Sequence, residues 1–360
     1  MEDSGNIAFR RGERLIFFAP HPDDETLAAG GMIQRAISAG IEVAVILVTN
    51  GDNNKWMQRL WEGRWRIDKA ARARYGRSRK KEAILALNHL GVADSRSIFL
   101  GYPDQGLTRL LLTRDSYAIK ALADCIAMWQ PHILIWPSAS DRHPDHSALA
   151  VLILLALDKL GAGRCPETIL SYVIHGRLPD KDVSRLIRFR LSRYEFQLKK
   201  EAFLMHASQL AFRWPWYLDY LKEDEVFFKN DNPLCAYGHH PVRDISMDNG
   251  AIRLDFVLKA RFGVVGGRTI YFVVVDSSSN IKTFFLEFRG HEQNAALKSF
   301  PDNEEVGNAV VLRGRRNHFT LVIEGVLFGC NDVKRLFVKL ERKYGFFDEA
   351  GWLEARIKLD

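Results

Sequence analysis

Pro20-His-Pro-Asp-Asp-Glu25 follows directly on the apolar run Leu15–Ala19, and Asp141-Arg-His-Pro-Asp-His146 follows a second apolar run, His132–Pro137. Each box sets imidazoles and carboxylates at the end of a strand-like segment, where a hydrolytic metal centre can be assembled. His21 and Asp24 are three residues apart on a strand-to-helix turn, within reach of one cation, and His146 completes a set of two imidazoles and one carboxylate. Three protein ligands with a fourth position for water is the catalytic zinc arrangement, whereas structural zinc sites close with four ligands rich in cysteine. Zinc lowers the pKa of bound water to about 7. Asp23 is the adjacent carboxylate that can take a proton from that water, and His143 can polarise or protonate a developing oxyanion. Each box alone has a plainer reading. HPDD suits an exposed turn capping a helix, since Asp is a favoured cap and Pro is tolerated in the first turn. HPDH suits a solvated pair on a surface loop. Their joint occurrence, each after an apolar run, favours the metal.

The elements that must position these residues alternate in a βα manner through the first two-thirds of the chain. Short apolar runs predict strands at Leu15–Ala19, Glu42–Thr49, Ser97–Leu100, His132–Pro137 and Thr168–Ile174. Apolar spacings of three and four predict helices at Asp24–Ala39, Arg79–Leu90, Asp115–Gln130 and Pro144–Leu160. The pattern predicts an α/β, Rossmann-like, mainly parallel sheet with helices on both faces. In such sheets the loops at the carboxyl ends of the strands line the ligand crevice, which brings both boxes to one point. Thr49–Asp52 and Gly101–Leu107 follow strands and are expected to rim the same crevice. Asp104 either contacts sugar hydroxyls there or lies in a surface turn. Gly30-Gly31, inside the first helix, implies close packing against the sheet or the metal loop. Lys199–Gln209 reads as a helix bearing His206. The aromatic cluster Trp214-Pro-Trp216-Tyr217, like His206, suits either a sugar ring or a closed core.

Composition changes after residue 230. Residues 231–243 are turn-rich and read as a linker in which His239 and His240 are most simply solvated. Alternating or β-branched segments then run from Ile252–Leu258 to Arg335–Leu340 between turn residues. They predict a C-terminal β-sandwich-like domain over 244–360, after a catalytic domain over 1–230.

The chain has 360 residues, 47% hydrophobic and 26% charged, as in ordinary globular proteins. Four scattered cysteines without CxxC spacing disfavour a disulfide scaffold or a cysteine-zinc site. The polar start of the chain and the lack of a long apolar run predict a cytoplasmic protein without a spanning helix. Of the net charge of +7, the segment Arg59–Lys81 alone carries ten basic and two acidic residues. Together with Trp56, Trp61 and Trp65, that stretch could engage phosphate or an anionic membrane surface, giving a peripheral contact through 56–81; a solvated helix with internally paired arginines is the alternative. No nucleic-acid partner is expected, since neither zinc-finger spacing nor an RNP box occurs. The absence of GxSxG and of a Walker loop disfavours serine hydrolysis and nucleotide hydrolysis.

Ala19-Pro-His-Pro-Asp-Asp-Glu25, Gly30-Gly31, Thr49-Asn-Gly-Asp52, Arg79-x-x-Glu82, Leu90-Gly-Val92, Gly101-Tyr-Pro-Asp-Gln-Gly-Leu107, His143-Pro-Asp-His146 and Lys199-x-x-Ala202…His206-x-Ser208-Gln209 stand in this order. Over about residues 14–210 the chain resembles the PIG-L/LmbE-like deacetylases, zinc-dependent enzymes that remove acetyl from N-acetylglucosamine units. The resemblance implies Zn2+ on His21, Asp24 and His146, with Asp23 as general base and His143 as oxyanion partner or acid. It further implies that Arg79 holds the substrate, and Asp145 is expected to orient a neighbouring histidine. Asp141 departs from the family pattern, standing where some relatives place a tyrosine. The implied reaction is hydrolysis of the acetamide of an N-acetylglucosamine-type sugar, releasing acetate and a free amine, on a glycoconjugate or a lipid- or phosphate-linked precursor. A metal-dependent amidase or esterase on another acyl substrate, and a non-catalytic sugar-binding or scaffolding protein, are the alternatives.

Overall fold

The computed structural model describes residues 7–176, 186–210, 219–229, 240–248, 251–258, 267–288, 294–314, 318–324, 333–342 and 345–355. The cluster Trp214–Tyr217, His239, Cys235 and Cys330 lie outside the described residues.

The first sheet has seven strands in the order β3-β2-β1-β4-β5-β7-β6. These are β1 (Arg14–Ala19), β2 (Glu42–Thr49), β3 (Ser97–Tyr102), β4 (Ile133–Pro137), β5 (Thr168–Tyr172), β6 (Leu186–Arg190) and β7 (Asp224–Lys229). The first five run parallel, while β7 pairs antiparallel with β5 and with β6. Helices cover both faces: α1 (Asp24–Ser38), α2 (Lys55–Glu62), α3 (Lys69–His89), α4 (Leu107–Leu112), α5 (Ser116–Trp129), α6 (Pro144–Leu160), α7 (Arg193–Leu204) and α8 (Ala207–Leu210). β1 shows why its sequence is an unbroken apolar run. Leu15, Phe17 and Ala19 pack with α1 and α3, while Ile16 and Phe18 pack with α5 and α6, so neither face meets water.

From β1 the chain runs outward to β2 and β3, then returns across the sheet to β4, which pairs directly with β1 (Leu15 opposite Ile133, Phe17 opposite Ile135). The switch point therefore lies between β1 and β4, and their carboxyl-terminal loops open on one crevice. Those loops carry the two His-Pro boxes.

One local expectation is revised and another is made specific. The helix expected at Arg79–Leu90 starts ten residues earlier, at Lys69, with the Asp68 carboxylate accepting from the Ala71 N–H as its cap. The Cα faces of Gly30 and Gly31 meet α7 and the turn before it, while the backbone there is held by Glu225 of β7. A Cβ on Gly30 would meet Lys199 Cγ at 3.0 Å, and one on Gly31 would meet Leu191 Cδ2 at 2.1 Å. The helix kinks at Ala29 (φ −142), and the Glu225 carboxylate, ion-paired to buried Lys199 at 2.7 Å, accepts the N–H groups of Gly31 and Met32 at 2.8 Å each.

The second half is not a sandwich of two facing sheets. It is one nine-stranded antiparallel sheet in the order β16-β15-β10-β11-β12-β13-β14-β9-β8, with its edge strands β8 (Val242–Asp248) and β16 (Leu353–Ala355) in contact, so that it nearly closes into a barrel. The other members are β9 (Ala251–Val257), β10 (Arg268–Asp276), β11 (Ile281–Phe288), β12 (Asn294–Ser299), β13 (Glu305–Arg313), β14 (His318–Glu324) and β15 (Val333–Arg342). Period-two alternation fixes which face of each strand is buried. It does not say whether buried faces meet as two sheets or across one coiled sheet. In β10 both faces are covered: Ile270, Phe272 and Val274 point into the near-barrel, whereas Val273 and Val275, with Phe337 and Trp352, pack into the apolar cluster built around α6. Thr283 Oγ1 also donates to Leu112 O at 2.7 Å, and Arg335 pairs with Asp158 at 2.9 Å across the same junction.

Candidate metal centre

The Pro20–Asp23 turn joins β1 to α1 and is anchored by Thr49 of β2, whose N–H and hydroxyl both donate to Pro20 O at 3.0 and 2.8 Å. The loop after β4 ends at His143, the cap residue of α6, with Pro144 in the first helical turn. These turns bring His21, Asp24, His143 and His146 together, all buried. Asp24 Oδ2 lies 3.2 Å from His21 Nδ1 and 3.2 Å from His146 Nε2. Ligand atoms about 2.0–2.1 Å from one tetrahedral zinc ion stand about 3.3–3.4 Å apart, so both separations suit edges of such a polyhedron. Both ring nitrogens of His146 are buried without a hydrogen bond, and Nε2, beside Asp24, is the one placed to meet a cation held by that carboxylate. The donor set of imidazole nitrogen and carboxylate oxygen fits a divalent ion.

The imidazoles of His21 and His146 are each backed by a carboxylate. His146 Nδ1 lies 3.2 Å from Asp141 Oδ2, and His21 Nε2 lies 3.1 Å from Asp145 Oδ2 and 3.3 Å from Asp104 Oδ1. Such carboxylates fix the ring orientation and raise ligand basicity. Asp145 is itself held by the N–H groups of Gln105 and Leu107 at 2.7 and 3.0 Å, so the Gly101–Leu107 loop does reach the centre. Asp141, the departure from the family pattern, also accepts the N–H groups of His143 (2.8 Å), Ile174 (2.8 Å) and His175 (3.1 Å). His175 itself escaped the sequence reading. Among the described residues it belongs to one of three overlapping groups able to hold an ion: Asp24, His146 and His175; His21, His143 and His146; and His21, Asp104 and Asp145. A lone histidine after an ordinary apolar strand carried no signal for it.

Asp104 was expected at sugar hydroxyls or in a surface turn. It is buried at 5% exposure and accepts the Asn53 N–H at 2.6 Å, supporting His21 from beneath. Arg79, expected at the substrate, is 4% exposed. Its guanidinium donates to Gly51 O at 2.8 Å, to Pro22 O at 2.5 Å and to Asp23 Oδ2 at 3.1 Å, tying the Thr49–Asp52 loop to the turn that carries the acid. Asp23 holds a strained backbone, φ 121, in a region that side-chain-bearing residues rarely adopt. Such strain persists where surrounding contacts over-determine it, and it clusters at functional sites. His206 is buried with Nε2 3.5 Å from Glu25 Oε1, beneath the first turn of α1. Ser208 donates its N–H and hydroxyl to Glu82, so this last motif braces α8 against α3.

The electrostatics sort these groups. Burial pushes the Asp23 carboxyl up to about 6 against the opposing pull of Arg79. Burial pulls His146 down, but Asp24 and Asp141 outweigh it and hold the ring up to about 9. Burial and the neighbouring imidazoles hold His143 well below the usual histidine range, so this ring is neutral. Its Nδ1 accepts the Asp145 N–H at 3.2 Å, which leaves the proton on Nε2.

In the basic segment, Arg74 pairs with Glu62 at 2.5 Å and Arg72 with Asp52 at 3.8 Å, while Trp56 and Trp65 stay exposed and flank Arg59. No described helix is long and apolar enough to cross a membrane.

Residues 16–157 match the family described as PIG-L: GlcNAc-PI de-N-acetylase. The 1D-myo-inositol 2-acetamido-2-deoxy-alpha-D-glucopyranoside deacetylase of Rhodococcus erythropolis is 29% identical over 168 residues, 43% of this chain and 56% of that protein. The protein of the same description from Mycobacterium avium is 30% identical over 145 residues, 37% of this chain and 47% of that protein. The chain thus spans about half the length of the curated relatives it matches. Among solved structures, N,N'-diacetylchitobiose deacetylase from Pyrococcus horikoshii shares 20% identity and a TM-score of 0.46, covering 60% of this chain and 83% of that one. The matched segment contains both His-Pro boxes and the switch point between β1 and β4, so it is the part of the chain holding the candidate metal centre that is similar to the PIG-L family.

Proposed function

We propose that the protein is a zinc-dependent N-deacetylase that hydrolyses the acetamide of an N-acetylglucosamine-type sugar, releasing acetate and a free amine. The observation that carries the reading is the Asp24 carboxylate shared at 3.2 Å between His21 and His146, with Asp23 and His143 beside it. A zinc ion on His21, Asp24 and His146 would supply an acidified water and a Lewis acid for the amide carbonyl. Asp23, steadied by Arg79, takes the proton of the attacking water. Neutral His143 donates its Nε2 proton as a hydrogen bond to the oxyanion that develops on the carbonyl oxygen. Asp23 then delivers its proton to the sugar nitrogen as the C–N bond breaks, which returns it to the carboxylate.

The carrier of the sugar is read as anionic, a lipid-linked or phosphate-linked precursor. The support is the basic character of 56–81 beside the rim and the exposed Trp56 and Trp65 on it. In the same reading the catalytic unit spans 1–230, and 244–360 is an accessory unit.

The test is acetate release by zinc-loaded protein from free N-acetylglucosamine and from its nucleotide, inositol-linked and pyrophosphoryl-lipid forms. Phosphorylated members are expected to react faster than the neutral ones. Asp23→Asn should keep its zinc and lose about 10²–10⁴-fold in turnover. Loss of zinc in that variant would make Asp23 a ligand, and wild-type protein releasing no acetate from any member would refute the reaction.

A further inference from the structure

The segment between β15 and β16 belongs to the second sheet, yet it lies on the loop that carries Asp141 and His143. Asp348 N–H donates to Arg142 O at 2.9 Å, Arg142 Nε donates to Asp348 O at 3.1 Å, and Trp352 N–H donates to Ala139 O at 2.8 Å. Gly351 passes so close that a Cβ there would sit 1.8 Å from Ala139 O and 2.7 Å from Asp141 O. Behind it, the buried pair Lys339–Asp348 (2.7 Å) and the buried Trp352 fix the strap to its own sheet and to the α6 cluster. The strap is thus held against the metal loop by hydrogen bonds to Arg142 and Ala139 and by the packing of Trp352 on the α6 cluster.

Its leading edge carries Phe346 and Phe347. The Phe346 ring lies 5.0 Å from that of His143, and Phe347 lies 6.0 Å from His143 and 5.2 Å from His175. The two rings stand edge to face at 5.1 Å, yet they remain 47% and 41% exposed. Tyr220, 5.8 Å from His175 and 43% exposed, extends the same rim. Two large apolar rings pinned half in water, against the histidine assigned to the oxyanion, contribute little to a core. Their position suits contact with whatever is bound at the centre. They offer no hydrogen-bond donor, so the matching surface is C–H rich. An amide seated between Asp23 and His143 carries its pyranose ring next to it, and the C–H face of that ring has this chemistry.

We propose that Phe346 and Phe347, supplied by the second sheet, form a wall of the substrate pocket against which the C–H face of the amide-bearing sugar ring rests. The assignment rests on the deacetylase reading of the same centre and adds a specificity element from outside the PIG-L segment.

The test compares full-length wild type, Phe346→Ala/Phe347→Ala and Phe346→Tyr/Phe347→Tyr, all zinc-loaded and checked for zinc content and melting temperature. KM and kcat are measured on the best substrate of the acetate-release panel. The dissociation constant of N-acetylglucosamine methyl glycoside is measured by calorimetry. The double alanine variant should raise KM and the dissociation constant by about tenfold with kcat nearly unchanged, since an aromatic contact is worth up to roughly a factor of ten. The double tyrosine variant should restore both. Wild-type values retained in the alanine variant overturn the wall. A change confined to selectivity between N-acetyl and N-butyryl substrates also overturns it, because it moves the contact to the acyl chain. Glycoside binding lost in the alanine variant, by a wild type that binds but never releases acetate, supports the wall and sinks the reaction. A wild type that neither binds nor reacts overturns both.

Discussion

Asp141→Asn removes one charge and little else from the centre, and the structure says what must follow. The buried carboxylate has Oδ1 on the His143 N–H (2.8 Å), and Oδ2 on the N–H groups of Ile174 (2.8 Å) and His175 (3.1 Å). Oδ2 also lies 3.2 Å from His146 Nδ1. An amide has a single acceptor oxygen, so one side must be lost. If the oxygen stays on His143, the amide nitrogen faces two backbone donors and forces the lone pair of His146 onto Nδ1. That moves the ring proton to Nε2, the atom beside Asp24, and removes a metal donor. If the amide turns over, His146 keeps its tautomer but the buried His143 N–H is orphaned. Losing one charge-assisted hydrogen bond and leaving one buried donor unpaired costs about 2–4 kcal/mol. Zinc affinity should fall about 10–100-fold, the usual effect of losing the group behind a ligating histidine. Competition with a chromogenic chelator measures the affinity, and thermal melting of the metal-free protein measures the stability. A variant that melts normally and binds zinc within about threefold of wild type would refute the claim that Asp141 sets His146.

Two further predictions test the frame around the site. Gly31→Ala puts a methyl 2.1 Å from Leu191 Cδ2, and overpacking of this kind costs about 1–3 kcal/mol. The variant should melt lower, while Gly163→Ala, where a Cβ meets nothing within 4 Å, serves as the control that should not. Glu195 is held at about 2 by its two-pronged pairing with Arg35, at 2.7 and 2.6 Å, which links α7 to α1. A carboxylate depressed in the folded state stabilises above its unfolded value near 4.5, and that contribution is lost as pH falls from there toward 2. Glu195→Gln should therefore destabilise by about 1 kcal/mol at neutral pH after solvent screening, and the gap in melting temperature to wild type should close below pH 4.5. A gap that stays constant down to pH 3 would show that the pair does not titrate as proposed.

The sequence alone determined the local grammar of the site. An apolar run followed by His-Pro-Asp-Asp specifies strand, turn and helix within one stretch of chain, and the same holds for Ile133–Pro137 and the His143-Pro box. The βα alternation then implied a parallel sheet, hence a crevice shared by both turns. Only the tertiary structure decided which carboxylate faces which nitrogen. Asp104, Asp141 and Asp145 are equivalent as letters, and their roles follow from loops docking across the switch point. The near-barrel was likewise undecided, since alternation records the buried face of a strand and not the curvature of the sheet. The strap carrying Phe346 and Phe347 is the extreme case. It meets His143 some two hundred positions away through packing of β10, β15 and Trp352 on α6, a contact that no local pattern encodes.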